Sequence, residues 1–226
     1  MRSWIKVARY HLVVPVYVWA AWVVLAFVFL VNLLITAVQG GPNPTKAFAA
    51  IFAVFFFVGV FSISRSMPFG LALGVSRRSY ILGTALLNIT LAALYGLIIA
   101  GLQAIERATH GWGVQMHFFQ VAYLFVGPWY LTWATAFVGL VLMFAYGMCF
   151  GIVYRRWDLP GLTIFVVVQA GALLAGGLII AAHTHGWRSV GHFFTDLGAA
   201  GLTGVLAALA VVVLAAGYGV ARRITV

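Results

Sequence analysis

Six histidines and three carboxylates are the residues of this 226-residue chain best suited to acid–base or metal chemistry. Four of the histidines fall in a repeat: residues 109–119 read THGWGVQMHFF and residues 184–194 read THGWRSVGHFF, identical at seven of eleven positions. Each copy holds a histidine pair seven residues apart, His110 with His117 and His185 with His192. Imidazole is the commonest metal ligand, but a spacing of seven sets such a pair two helical turns apart. Zinc-binding helices present theirs on successive turns. An aromatic belt at headgroup level and an outer gate or release surface are the other two readings, and the spacing argues against metal. The acids Glu106, Asp158 and Asp196 form no close pair in the sequence. Glu106, just before the first copy and beside Arg107, pairs locally or orders the segment that follows. No GxxxxGK[ST] loop occurs, and Lys6 and Lys46 are the only lysines, so the chain lacks that route to ATP hydrolysis. No HExxH is present, and Cys149 is the sole cysteine, which excludes an intrachain disulfide. An enzyme is not expected, and the chain is expected to bind no cofactor itself.

These residues must be positioned by helices in a membrane. The chain is 65% hydrophobic and 7% charged, far from the quarter charged of a soluble domain. Its net charge of +10 has no soluble domain on which to form a nucleic-acid face, so no nucleic acid is expected as a partner. A bilayer core takes about 20 apolar residues per helix. Six runs qualify, at about 12–38, 47–64, 80–105, 129–154, 162–182 and 199–220, and they predict an all-α polytopic protein forming one transmembrane domain over 1–226. With alternating loops, one side receives Arg2, Lys6, Arg9, Arg65, Arg77, Arg78, Arg155, Arg156, Arg222 and Arg223, and the other only Lys46, Arg107 and Arg188. The excess of positive charge places both termini in the cytoplasm. Arg2, Lys6 and Arg9 share one helical face, so residues of about 2–11 are expected to lie on the inner leaflet as an interfacial helix, and the basic start running into a long apolar stretch reads as a retained signal anchor. Each repeat copy then lies outside, as a short outer-leaflet helix entered through Gly111 or Gly186.

Polar residues within the spans are few. Asn32, Asn88 and Gln169 are candidates for a substrate path, although such residues mostly tie helices together. Gly147 and Gly151 form a GxxxG pair that serves either packing within the chain or a dimer seam.

The stretch SRSMPFGLALGVSRRSY, residues 64–80, falls in a cytoplasmic loop. Pro68 suits a first helical turn with Ser66 as its cap, Phe69, Leu71, Ala72 and Leu73 give an apolar face, Gly74 ends it, and Ser76 caps the next span. A self-contained helix over 66–75 is therefore expected, either inserted in a groove of a cytosolic partner or lying on lipid. The pattern R-x-x-P-F-x-L-A-L-G-V-S-R-R-x-Y followed by I-L-G-T resembles the loop after the second helix in permease subunits of bacterial ABC-2 type ABC exporters. The resemblance continues in Ile105-Glu106-Arg107-Ala108-Thr109 with the Gly-Trp-Gly after it, and in Tyr154-Arg155-Arg156-Trp157. One departure is the aromatic segment after the third span as well as after the fifth; better-known members gather their outer re-entrant helices in the last hairpin.

The resemblance implies an exporter of an apolar or amphiphilic compound in the bacterial cell membrane. It implies a second permease copy or close paralogue, and a separate cytosolic ATPase dimer that holds the ATP and Mg. Arg65, Pro68, Phe69, Leu71, Gly74, Arg77 and Arg78 would form the coupling helix, with Arg155, Arg156 and Asp158 as the other inner contact. Glu106, Trp112, His117, Phe118, Trp187, His192 and Phe193 would form the outer gate. The alternative is a non-transporting membrane anchor or sensor that recruits a cytosolic protein; an enzyme acting on membrane lipids is disfavoured by the lack of paired polar catalysts.

Overall fold

The computed structural model describes residues 15–39, 43–44, 49–119, 127–182 and 186–221. The expected interfacial helix at 2–11, together with Lys46, His183 and His185, lies outside the described residues. What is described is almost entirely helical: α1 (Pro15–Gln39), α2 (Ala49–Phe61), a π-helical turn (Ser62–Ser66), α3 (Met67–Ala72), α4 (Arg77–Ala108), α5 (Trp129–Ala182) and α6 (Gly186–Ala221). Two dipeptides, β1 (Asn43–Pro44) and β2 (Met116–His117), pair in parallel. Four stretches are long and apolar enough to cross a membrane: Ala49–Ala72, α4, α5 and Thr195–Gly219. This is the make-up of a membrane protein. In α1, Val23, Phe27, Leu30 and Leu34 are exposed at helical spacing while Leu25 is buried, as befits a helix with one face to hydrocarbon.

Helix α5 is in fact a hairpin. Asp158 takes φ 52° and ψ −152°, which no helical residue adopts, so 129–157 and 159–182 are separate helices. Across this break the Tyr146 hydroxyl donates to the Gln169 side-chain oxygen, and the Phe150 and Phe165 rings meet edge to face at 5.2 Å. The paired positions converge on Asp158, so the two arms run antiparallel. A non-glycine residue in this region is strained by about 1–3 kcal/mol, and Pro160 just beyond it cannot rejoin the first arm by an N–H bond. The expected boundary near 154–162 is thus a turn of almost no length. Helix α6 breaks similarly at Gly198 (φ 61°, ψ 178°), next to the predicted start of the sixth run at 199.

The core is organised where α2 and the first arm of α5 touch backbone to backbone. A methyl group on Gly147 would strike the Phe56 carbonyl oxygen, and one on Gly59 the Phe144 carbonyl oxygen. At Gly151 it would sit 2.8 Å from the Val60 oxygen. The GxxxG pair therefore packs within the chain, against α2. By contrast Gly171, Gly176 and Gly177 have open space around them, on an arm where Leu173 is 78% exposed. Trp133 Nε1 donates to the Ala93 carbonyl (3.1 Å) and ties α5 to α4, while the Thr135 and Thr203 hydroxyls meet at 2.6 Å and tie α5 to α6. Replacing Gly147 by valine should lower stability by about 1–3 kcal/mol, whereas Gly171→Val should be near neutral. Thermal unfolding of both purified variants in the same detergent checks this; equal melting temperatures would contradict the seam.

Candidate functional site

The two ends of α4 carry the two candidate sites. At its start the structure corrects the expectation of a self-contained helix over 66–75. Ser66 has helical dihedrals and makes no side-chain cap, so α2, the π turn and α3 run on as one helix to Ala72. The chain then reverses through Leu73 and Gly74 (φ 82°), and Ser76 caps α4 by accepting from Ser79 N at 3.2 Å. Continuity is possible because of the π turn. A proline inside a helix lacks the N–H for the carbonyl four residues earlier, and its ring collides with that carbonyl. For Pro68 the carbonyl is that of Ser64. Widening the helix over Ser62–Ser66 relieves the collision, with Met67 N–H donating to Ser62 O instead. Two side chains then brace the widened turn: Tyr80 Oη donates to Ser62 O (2.9 Å, buried), and Arg155 Nη1 donates to Ser64 O (3.4 Å).

Arg155 is therefore tied to the hairpin tip itself. Arg65 lies over the Phe61 ring at 5.7 Å and Arg156 over Trp157 at 5.0 Å. Arg78 is exposed and Arg77 half-buried. Leu71 packs on the core, while Phe69 (52%) and Leu73 (64%) stand exposed at the tip. Asp158 marks the turn of the α5 hairpin, in whose crook a cavity of about 440 Å³ is lined by Val153, Trp157, Pro160, Gly161, Ile164, Phe165 and Val168.

At the other end of α4, Glu106 is 0% exposed. Its Oε2 accepts from Trp112 Nε1 (3.1 Å), Phe118 N (3.1 Å) and Phe119 N (2.9 Å). One turn earlier, Gln103 donates to the Phe119 carbonyl (3.3 Å) and accepts from Thr132 Oγ1 (2.9 Å), which fastens the same segment to α5. Arg107 reaches Gly127 O at 3.3 Å. The segment 109–119 is consequently a compact irregular turn folded back over α1, and not the short outer-leaflet helix that the sequence leads one to expect. His110, Gly111, Trp112 and Gly113 all have positive φ. Phe118 and Phe119 are buried, and with Trp112 they surround Phe29 of α1 at ring distances of 5.0 to 6.4 Å. His110 and His117 are exposed.

The second copy folds differently: 186–194 is helical and opens α6, with His192 and Phe193 exposed. Trp187 lies in its first turn. The difference follows from three positions. Where the first copy has Glu106, Gly113 and Met116, the second has Ala181, Arg188 and Gly191. It lacks the acceptor, the residue at ease at positive φ, and the side chain that fills the core. Glu106, Trp112 and Phe118 of the gate set thus come together, with His117 beside them, while His192 and Phe193 sit on another element. Of the path candidates, Asn32 bonds to Val28 O (2.8 Å) and Asn88 to Thr84 O (2.8 Å), each within its own helix, and Gln169 is held by Tyr146. Among the described residues no group of three His, Cys, Asp or Glu side chains gathers as a metal site.

Sequence reasoning missed Tyr80, Phe29 and Phe119. The proline in an apolar run announces an orphan carbonyl four residues back, at Ser64, which Arg155 fills; no comparable signal points to Tyr80, which bonds Ser62 O. No family model, curated protein or solved structure matches the chain.

Pro68 and Arg155 should be energetically coupled. Arg155→Met should cost about 1–2 kcal/mol, near the low end for a charged donor given the long bond. In a Pro68→Ala background, where residue 68 supplies an N–H for Ser64 O, the cost should shrink by at least about 0.5 kcal/mol. A double-mutant cycle on denaturation free energies measures it, and strict additivity would contradict the bracing role.

Proposed function

We propose that this chain is the membrane permease subunit of an ABC-2 type ATP-driven exporter. The observation that carries the reading is the braced hairpin tip: Phe69 and Leu73 exposed beside Arg65 and Arg78, on a base tied down by Tyr80 and Arg155. An aromatic side chain on a stiff, cationic mount is what a cytosolic protein with an acidic-rimmed groove can grip, since aromatic anchors dominate such contacts. Force applied there reaches the α5 hairpin directly through Arg155. The sequence itself lacks a phosphate-binding loop, so the ATP and Mg belong to a separate ATPase dimer.

In this reading the protein crosses the bacterial cell membrane six times, by α1, by α2 with α3, by α4, by the two arms of α5, and by 199–221. Both termini and the tip face the cytoplasm, as the arginine distribution favours. A second permease copy or a close paralogue completes the transporter, with lipid around it, and Arg155, Arg156 and Asp158 form the second contact with the ATPase. Among the described residues the membrane-crossing helices present no unpaired buried carboxylate along their middles, which suits an apolar or amphiphilic cargo moved by alternating access. Glu106, Trp112 and Phe118 close the outer end.

Phe69→Ala should leave membrane insertion intact while reducing transport and cargo-stimulated ATP hydrolysis by on the order of tenfold, the effect of about 1.4 kcal/mol at one anchor. The test co-expresses the chain with candidate ABC ATPase subunits from the same genome, purifies the complex and follows both activities in vesicles. A Phe69→Ala protein that co-purified with the ATPase and transported normally would sink the coupling role. Failure of any ATPase to co-purify with the unaltered chain would instead favour the anchor reading.

A further inference from the structure

We infer that residues 109–119 form a latched lid over an apolar cavity, with the Glu106 carboxylate as the latch. The segment closes one side of a partly open apolar cavity of about 300 Å³ lined by Trp22, Leu25, Ala26, Phe29, Leu102, Trp112 and Phe119. Two of those lining residues, Trp112 and Phe119, belong to the segment and are held by the same carboxylate oxygen. The closed form is strained. His110 (φ 52°) and Trp112 (φ 61°) occupy the left-handed region that L-residues avoid. Such a conformation persists only where its surroundings over-determine it, and here the buried Glu106 is what does so. A second arrangement is within reach of nearly the same residues. The copy at 184–194, without an acid at the matching position and with Arg188 in place of Gly113, is helical from 186 onward. One repeat thus exists in two conformations within one chain, and the structure assigns the choice between them to Glu106 and Gly113. Release of the latch frees the Trp112 indole and leaves Phe119 on its Gln103 bond, so the cavity is uncovered from the Trp112 side.

The latch concerns this chain alone and is independent of any ATPase. Its test uses full-length protein in lipid nanodiscs, with Cys149→Ser removing the native thiol and Met116→Cys as reporter, since Met116 belongs to the lid and is fully buried while it is closed; the reporter alone should react slowly, which shows that the lid stays closed without the methionine side chain. Reaction with a charged maleimide should be at least tenfold faster in a Glu106→Ala background. It should be severalfold faster with Gly113→Arg, which copies the second repeat, and also with Gly113→Ala, which adds no charge; nothing lies within 4 Å of a Cβ placed at Gly113, so the alanine variant changes the backbone preference alone. A control reporter at Ala136, buried in the core between helices, should stay unreactive in all three backgrounds. Unchanged reactivity at 116 in all three backgrounds would overturn the latch, and so would a parallel rise at 136, which signals general unfolding. Should Glu106→Ala fail to fold, the Gly113 comparisons alone decide.

Discussion

The close approach of α2 and the first arm of α5 is the constraint from which the rest of the structure follows. With Gly59 set against Phe144, and Gly147 against Phe56, the two backbones touch where any side chain would hold them apart. In a membrane, where lipid is as apolar as leucine, such van der Waals contact is a main source of helix association. The contact also fixes register. Eight residues past Gly147, Arg155 arrives at the level of Ser64, whose carbonyl Pro68 has left without its usual donor. An unsatisfied carbonyl away from water costs several kcal/mol, so the arginine and Tyr80 let α2 continue through the proline to Ala72. The braced tip that we assign to a partner is thus a consequence of two glycines placed a helix-length away.

At the far end of α4 a single carboxylate plays the comparable part. Glu106 gathers two backbone N–H groups and an indole N–H, and this set of bonds turns an exposed-looking aromatic segment into part of the core. The two copies of the repeat are a natural comparison within one molecule. The identical Gly-Trp and His-Phe-Phe stretches are compatible with both an irregular turn and a helix; the residues that differ, together with an acid outside the repeat, decide between them. Local sequence similarity therefore does not carry conformation here, because the deciding interaction comes from three residues upstream.

The sequence by itself determined the helical class, the membrane character and the approximate helix positions, because these depend on composition and run length, which are properties of the chain alone. It also determined the turn at Gly74 with the Ser76 cap, since positive φ and capping are local. It did not determine that Ser66 would be passed without a break, that the GxxxG pair would face α2, or that Phe118 would be buried. Each of those depends on a partner far along the chain: Arg155 and Tyr80 for the carbonyls of the π turn, Gly59 for the seam, Glu106 and Phe29 for the aromatic cluster. Only the tertiary structure brings these groups within bonding distance, and because most of them are buried, where an unmet polar group is costly, that meeting decides the local conformation.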